Sequence, residues 1–277
     1  MNLHEQIPDE NRASAAFSKQ SAIFDELERE NPIVLELRRR IRRHVLSLMH
    51  PEETLLELNA GTGLDAVEFA RRGIRVTATD IADGMIEQMR HKADHYALGE
   101  YLRVRQCSFT SLAELSSRED DSAKTFVHIF SNFGGLNCAE DLAAVIQSLK
   151  PLLKPQGTVT LVIMPPVCLW EIFSVLKGNR RAFRRLKRGG TMAHVEGEYF
   201  RVRYYSPGYV ERAFGAGFER IHLEGLASIA PPPHAAEHVA KRFPRAYAVL
   251  ARIDERLSRL PIFRSCADHF LISFRKK

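Results

Sequence analysis

Residues 54 to 63, Thr-Leu-Leu-Glu-Leu-Asn-Ala-Gly-Thr-Gly, pass from an apolar run into a turn of small residues, with a carboxylate near the end of the run. A helical pattern follows from Leu64 to Arg72, Gly73 stops it, and a second run, residues 74–79, ends in Asp80. This spacing is that of two parallel strands joined by a helix, which sets Asp80 beside the first turn. Beside Ala60, which is expected to join the cofactor site, Gly61 and Gly63 let the backbone bend and a ligand approach closely, while the helix start behind them offers unpaired N–H groups. An ionised Asp80 only accepts hydrogen bonds, which suits a vicinal diol such as ribose. Glu57, two residues before the turn, would repel a pyrophosphate but suits a ligand bearing an α-ammonium group.

The same alternation continues along the chain. Residues 13–48 carry apolar side chains at three- and four-residue steps, with a break at Asn31-Pro32, and read as two helices. After the second strand come a helix over 82–97, strands over 102–107 and 125–130, a helix over 139–149, a Lys154-Pro155-Gln156-Gly157 turn and a strand over 158–164. Residues 166–205 interrupt the pattern as a helical stretch and a hairpin. It resumes with a helix over 207–216, a strand over 218–226, a helical stretch over 235–260 and a strand over 270–274. Strand–helix alternation predicts an α/β fold with a parallel sheet. The organisation expected is a helical lid (1–50), a nucleoside-binding core (51–165), an inserted basic cap (166–205) and a last part of the core sheet (206–277).

At 277 residues and 45% hydrophobic, one large core with additions is expected. The start of the chain has no charged-then-apolar leader, and no stretch approaches a membrane span, so the expected location is the cytoplasm. Cys107, Cys138, Cys168 and Cys266 are scattered without Cys-x-x-Cys spacing, which points away from zinc and disulfides. The net charge of +6 concentrates between Glu171 and Arg203, where nine cations, Arg180, Arg181, Arg184 and Arg185 among them, stand against three acids. Such a block is a solvated face, or it meets an anionic substrate, a membrane surface or nucleic acid.

The segment from Glu57 to Gly63 resembles motif I of the class I S-adenosylmethionine-dependent methyltransferases, Glu-x-Gly-x-Gly-x-Gly, with Asn59 in place of the first glycine. The resemblance covers residues 54–164 well and the chain from Tyr204 onward more loosely. It implies a Rossmann-like, seven-stranded, mostly parallel sheet with helices on both faces, a helical lid, and S-adenosylmethionine as cofactor over the carboxyl ends of the strands. Asp80 would hold the ribose, and Ile81 and Met85 would cover the adenine. Ser108 and Phe109 stand where the family often has an acid for the adenine amino group. Asn132 and Phe133, at the end of the fourth strand, would line the reaction centre. Phe17, Phe24 and Asp25 resemble the lid of small-molecule members.

Methyl transfer from a sulfonium needs alignment and exclusion of water more than a dedicated base. Among the histidines of the second half, His194 in the insertion is the candidate base, and no metal site is expected, since His234 and His238 follow a proline-rich loop. The function expected is methylation of a small or medium-sized metabolite, anionic or membrane-associated if the basic cap binds it. RNA methylation and a non-catalytic binding protein on the same scaffold are the alternatives, the latter motivated by Asn59 and Ser108.

Overall fold

A computed structural model describes residues 9–116, 125–175, 178, 180–187 and 189–277. Expectations for residues 1–6 and 117–121, for Lys177 and Arg188, and for the side chains of Arg180, Arg181 and His234 lie outside what is described. The chain opens with α1 (Asp9–Glu30) and α2 (Pro32–Leu46). They separate at Asn31, whose side chain accepts from the N–H groups of Ile33 and Val34 while Pro32 takes the first helical position, where no N–H is needed.

The core then runs β1 (Thr54–Leu58), α3 (Leu64–Ala70), β2 (Arg75–Asp80), α4 (Asp83–His95), β3 (Leu102–Gln106), α5 (Ala113–Ser116), β4 (Phe126–Ser131), α6 (Leu142–Leu149) and β5 (Leu153–Ile163). The insertion holds α7 (Leu169–Val175), a 3-10 segment (Arg180–Leu186) and the hairpin β6 (Thr191–Val195) and β7 (Glu198–Val202). The chain closes with α8 (Pro207–Phe214), β8 (Phe218–Leu226), α9 (Pro233–Arg242), α10 (Pro244–Leu257), α11 (Pro261–Ser265) and β9 (His269–Lys276).

Seven strands form one sheet in the order β3-β2-β1-β4-β5-β9-β8, with β9 antiparallel to both neighbours and the other pairings parallel. The strand order reverses between β1 and β4, and crevices at the carboxyl ends of such a switch point are where α/β sheets bind ligands. Alternation along β1 sends Leu55 to one face, among Ile33, Leu37 and Ile41 of α2 and Phe69 of α3, and Leu56 and Leu58 to the other, among Ile146 of α6 and Phe214 of α8. Glu57 shares the parity of Leu55, so it points toward α2 and α3. No described helix is long and apolar enough to cross a membrane.

Three boundaries differ from the sequence reading. Lys154-Pro155-Gln156-Gly157 is not a free turn but the bulged start of β5: pairing skips from Phe126↔Leu153 to His128↔Thr158, and Gln156 takes a φ of 60°. Residues 135–138 form a 3-10 turn, and α6 starts only after Asp141 caps it by accepting from the N–H of Ala144. The stretch 235–260 is two helices, parted at Phe243 because Pro244 cannot donate to a continuing helix.

Two imidazoles are built into this core. His128 is fully buried, with Nδ1 2.6 Å from Thr158 Oγ1, and His44 Nε2 lies 2.8 Å from Ser273 Oγ. Burial pushes His128 down to about 3, and burial together with the neighbouring His222 pushes His44 down to about 4. The unfolded chain protonates both at about pH 6.5, so the folded state loses stability as pH falls from there toward 3 and is unaffected above. We expect urea-unfolding free energies to be flat above about pH 7 and to fall by about 1.4 kcal/mol per pH unit per histidine below about pH 6. His128→Val should shallow that limb, and an unchanged slope would remove His128 from the account.

Candidate functional site

The turn after β1 is built on left-handed backbone. Asn59, Gly61 and Gly63 have φ of 44°, 58° and 80°, and Gly63 precedes the first residue of α3. A Cβ on Gly63 would lie 2.6 Å from Met89 Cγ, so side-chain packing as well as conformation demands glycine there. A Cβ on Gly61 would meet nothing nearer than Met85 Sδ and Phe24 Cε1, both at 4.0 Å. The space over Gly61 is therefore a cradle floored by the turn and walled by Met85 of α4 and Phe24 of α1.

Asp80 closes one end of this cradle. Its Oδ2 accepts from the N–H of Gly61 and its Oδ1 from that of Ala82, each at 2.9 Å, which ties the β2 end to the β1 turn. Burial raises its carboxyl above the usual range, against the pull of those N–H groups. Glu57 pairs in register with Ala78, so by strand parity Glu57 and Asp80 face the same side of the sheet. Glu57 is 2% exposed and its Oε2 has no hydrogen-bond partner. Burial, then the nearby Asp65 carboxylate, push Glu57 well above the carboxylate range despite Arg38 and Arg42. An unpartnered buried acceptor of this kind is costly unless something donates to it.

The floor beyond Glu57 is a polar cluster that the sequence reading missed. Asp65, in the first turn of α3, accepts from Asn132 Nδ2 at 2.7 Å, pairs with Arg42 Nε at 2.5 Å and is bonded by Arg38 Nη1. Burial alone would raise Asp65, but Arg38 and Arg42 outweigh it and hold its carboxyl below the usual range. Arg38 also pairs with Glu28 and lies 4.7 Å from the centre of the Phe133 ring. Asn132 accepts through Oδ1 from the N–H of Phe133 at 2.8 Å, and Phe133 sits at a φ of 44°. Asn132 and Phe133 thus meet Arg38, Asp65 and the face of the sheet that carries Glu57.

Asn59, within the segment that the resemblance assigns to cofactor binding, spends its side chain on the protein itself. Its Oδ1 accepts from Ser131 Oγ at 2.7 Å and its Nδ2 donates to the Asn132 carbonyl at 3.3 Å, so the side chain ties the ends of β1 and β4 together. A Cβ on Gly135 would lie 2.2 Å from Asn59 Nδ2. Glycine at 135 thus makes room for the side chain that stands where the motif has glycine. Ala60 donates its N–H to the Thr79 carbonyl at 2.9 Å, and Ile81 is half-buried with its carbonyl accepting from Gln106 Nε2. Ser108 Oγ donates to Glu10 of α1 and accepts from the N–H of Thr110. Phe109 is buried in the opposite core with Leu112 and Leu136, which removes it from the groove.

The N-terminal helices are fastened over the turn. Asp25 bonds Thr62 Oγ1 and pairs with Lys92, whose Nζ also donates to the Thr62 carbonyl at 2.9 Å. Gly84 allows α1 to touch the start of α4: a Cβ there would sit 2.5 Å from the Ser18 carbonyl oxygen. Phe17 does not reach Gly61 but packs on Phe200 of β7, ring centres 5.8 Å apart.

His194 is not brought to this cluster. Ala193, Val195 and Phe200 of the hairpin pack with α1, whereas His194 is exposed on the opposite face, its ring stacked on Tyr199 at 4.4 Å. His269, at the start of β9, does reach Phe133, with its ring edge-on to it at 6.1 Å and its Nδ1 3.0 Å from Asp268 Oδ2. Part of the basic block is also internal: Arg185 is buried between Glu171 and Asp268, at 2.9 and 2.7 Å, and Arg203 pairs with Asp9. Among the described residues no cluster of His, Cys, Asp or Glu has the makings of a metal site.

Comparison with known proteins agrees with this fold. A family model described as a methyltransferase domain matches residues 55–157. A malonyl-[acyl-carrier protein] O-methyltransferase of Serratia marcescens is 34% identical over 95 residues, which are 33% of this chain and 34% of that protein. The chain thus matches about a third of the length of that curated relative. Among solved structures, the CcbJ methyltransferase of Streptomyces caelestis superimposes with a TM-score of 0.57 at 17% identity, over 87% of this chain and 96% of that one. The Burkholderia thailandensis 1,6-didemethyltoxoflavin-N1-methyltransferase, solved with 1,6-didemethyltoxoflavin and S-adenosylhomocysteine, gives 0.56 at 15% identity over 100% and 91%.

Proposed function

We propose that this chain, a class I S-adenosylmethionine-dependent methyltransferase, moves the methyl group of that cofactor to a small or medium-sized metabolite in the cytoplasm. The observation that carries the reading is the unpartnered, buried Glu57 Oε2 on the same face as Asp80, with the Gly61 cradle in the same turn. The cofactor supplies an electrophilic methyl group on a sulfonium and needs no metal. Asp80 has lone pairs left on both oxygens for the ribose hydroxyls. Glu57 accepts from the α-ammonium group, and Met85 and Ile81 cover the adenine, with Ser108 offering an acceptor. Phe24 covers the turn from α1, so α1 is the lid, and its ties through Asp25 and Ser18 must open for exchange.

Asn132 and Phe133 border the acceptor side, roofed by α2 and the 166–205 cap. His269, held by Asp268, takes the place of His194 as the group that removes a proton from a hydroxyl acceptor; an amine acceptor that binds neutral needs no such help. Calorimetric titration with S-adenosylmethionine, followed by incubation of a cell extract with methyl-labelled cofactor, tests donor and acceptor together. Label is expected in small molecules; label in RNA, or absence of cofactor binding, would overturn the reading.

Glu57 adds a test of its own. Its carboxyl, raised well above the ordinary range by burial and Asp65, holds a proton into a pH range where exposed glutamates have lost it. An ammonium group placed beside it favours the ionised form, so binding should release a proton from Glu57. The heat of binding should then vary with the ionisation enthalpy of the buffer. Glu57→Gln should abolish that dependence while folding normally, and a wild-type heat independent of the buffer would place the ammonium elsewhere.

A further inference from the structure

The outer surface of α10 contributes none of the residues assigned to the cofactor or the acceptor. One side of this helix is fixed to the body: Tyr247 packs in the core, and Asp254 accepts from the N–H groups of Ser228 and Ile229 and pairs with Arg40. The other side carries a second apolar stripe. Val249, Leu250 and Ile253 are 53%, 39% and 39% exposed, and at 100° per residue they fall within an arc of about 100°. Phe243 before the helix and Leu260 and Ile262 after it are exposed as well.

Arg245, Arg252 and Arg256, spaced seven and four residues apart, line one flank of this stripe, and Arg259 follows beyond the helix end. All four are exposed, and among the described residues none has an ion-pair partner. Arg252, Arg256 and Arg259 also line a cleft of about 470 Å³ together with Glu224 and Glu255. Those two acids are already paired with Arg40 and Arg43, so the cleft presents uncompensated positive charge.

We propose that α10 docks the protein on an anionic lipid bilayer, its aliphatic stripe at the headgroup–acyl boundary and its arginine file on the lipid phosphates. A helix with an apolar stripe beside a cationic flank lies in a membrane surface rather than across it, and no described helix is long and apolar enough to cross. The stripe is aliphatic and lacks the Tyr or Trp anchors typical of protein–protein hot spots, which favours a lipid plane over an acidic protein. The inference stands apart from the methyl-transfer reading and fails separately from it.

The test is flotation of the whole protein with vesicles of phosphatidylcholine alone or mixed equally with phosphatidylglycerol. The protein is expected to float only with the mixed vesicles and to be released by salt. Removing positive charge should weaken binding roughly fivefold per arginine, so Arg252→Glu/Arg256→Glu should abolish flotation, as should Ile253→Glu. Both variants must keep the wild-type melting temperature and affinity for S-adenosylhomocysteine, which separates loss of docking from loss of fold or cofactor site. Equal flotation with both vesicle types, flotation with neither, or variants that float like the wild type would overturn the proposal. So would a dimer in sedimentation that Ile253→Glu dissolves, or salt-sensitive capture of an acidic polypeptide without flotation.

Discussion

Replacing Asp80 by alanine is expected to lower the affinity for S-adenosylmethionine by roughly two to four orders of magnitude, since two hydrogen bonds to a carboxylate are worth about 1.5–3 kcal/mol each. The loss has a second component. Asp80 is the acceptor for the N–H groups of Gly61 and Ala82, so its removal also frees the turn that shapes the cradle. Asp80→Asn separates the two contributions. The amide oxygen can still accept from one of the two N–H groups, while the NH₂ end opposes the other and cannot accept from a ribose hydroxyl, so affinity should fall about as far as in the alanine variant while the melting temperature of the free protein falls less than with alanine. Calorimetry and thermal unfolding read both, and an alanine variant that binds like the wild type would take the ribose away from Asp80.

What made Asp80 legible in the sequence is that its partners are local in pattern. A strand, a glycine turn and a helix place the acid of the next strand beside the turn, and β1 and β2 pair in that way. The Arg38–Asp65–Asn132 cluster was not legible, because its members come from three elements 27 and 67 residues apart, brought together by tertiary packing alone. A signal was nonetheless present for Asp65, an acid in the first turn of the helix behind the glycines. Arg38 lies within the arginine-rich run of α2, where composition suggests a solvated face; only the phase of Leu37 and Ile41 shows that it turns inward.

The displacement of His194 has a simpler origin. In a hairpin, alternation divides residues into two faces, and Ala193, Val195, Phe200 and Val202 form the apolar one that α1 covers. His194 pairs across the strands with Tyr199 on the other face, so the parity of its neighbours already argued against a buried catalytic role. The Asn59–Gly135 fit shows the opposite limit. Neither residue predicts the other from sequence, because the contact depends on how closely the ends of β1 and β4 approach.

The second large effect is expected at Arg40. Its guanidinium is buried, donating to Glu224 Oε2 at 2.8 Å and to Asp254 Oδ2 at 3.2 Å, and both carboxylates are themselves buried. One side chain thereby joins α2, β8 and α10, elements separated by 184 and 214 residues in the chain. Arg40→Met keeps most of the volume but leaves two buried acids facing each other, which should destabilise the fold by about 3–5 kcal/mol. Burial alone would raise Glu224, but His222 and Arg40 hold it down to about 2. With Arg40 gone, Glu224 takes up a proton near or above the ordinary glutamate pH, so the deficit of the variant should be largest at neutral pH and shrink as pH falls toward 4. Adding Glu224→Gln should restore part of the stability at neutral pH, because the uncompensated charge and not the lost contact is the larger penalty. Urea titrations of the single and double variants at two pH values decide it: a deficit that is the same at both, or no rescue by glutamine, would mean that packing rather than charge holds α10 to the sheet.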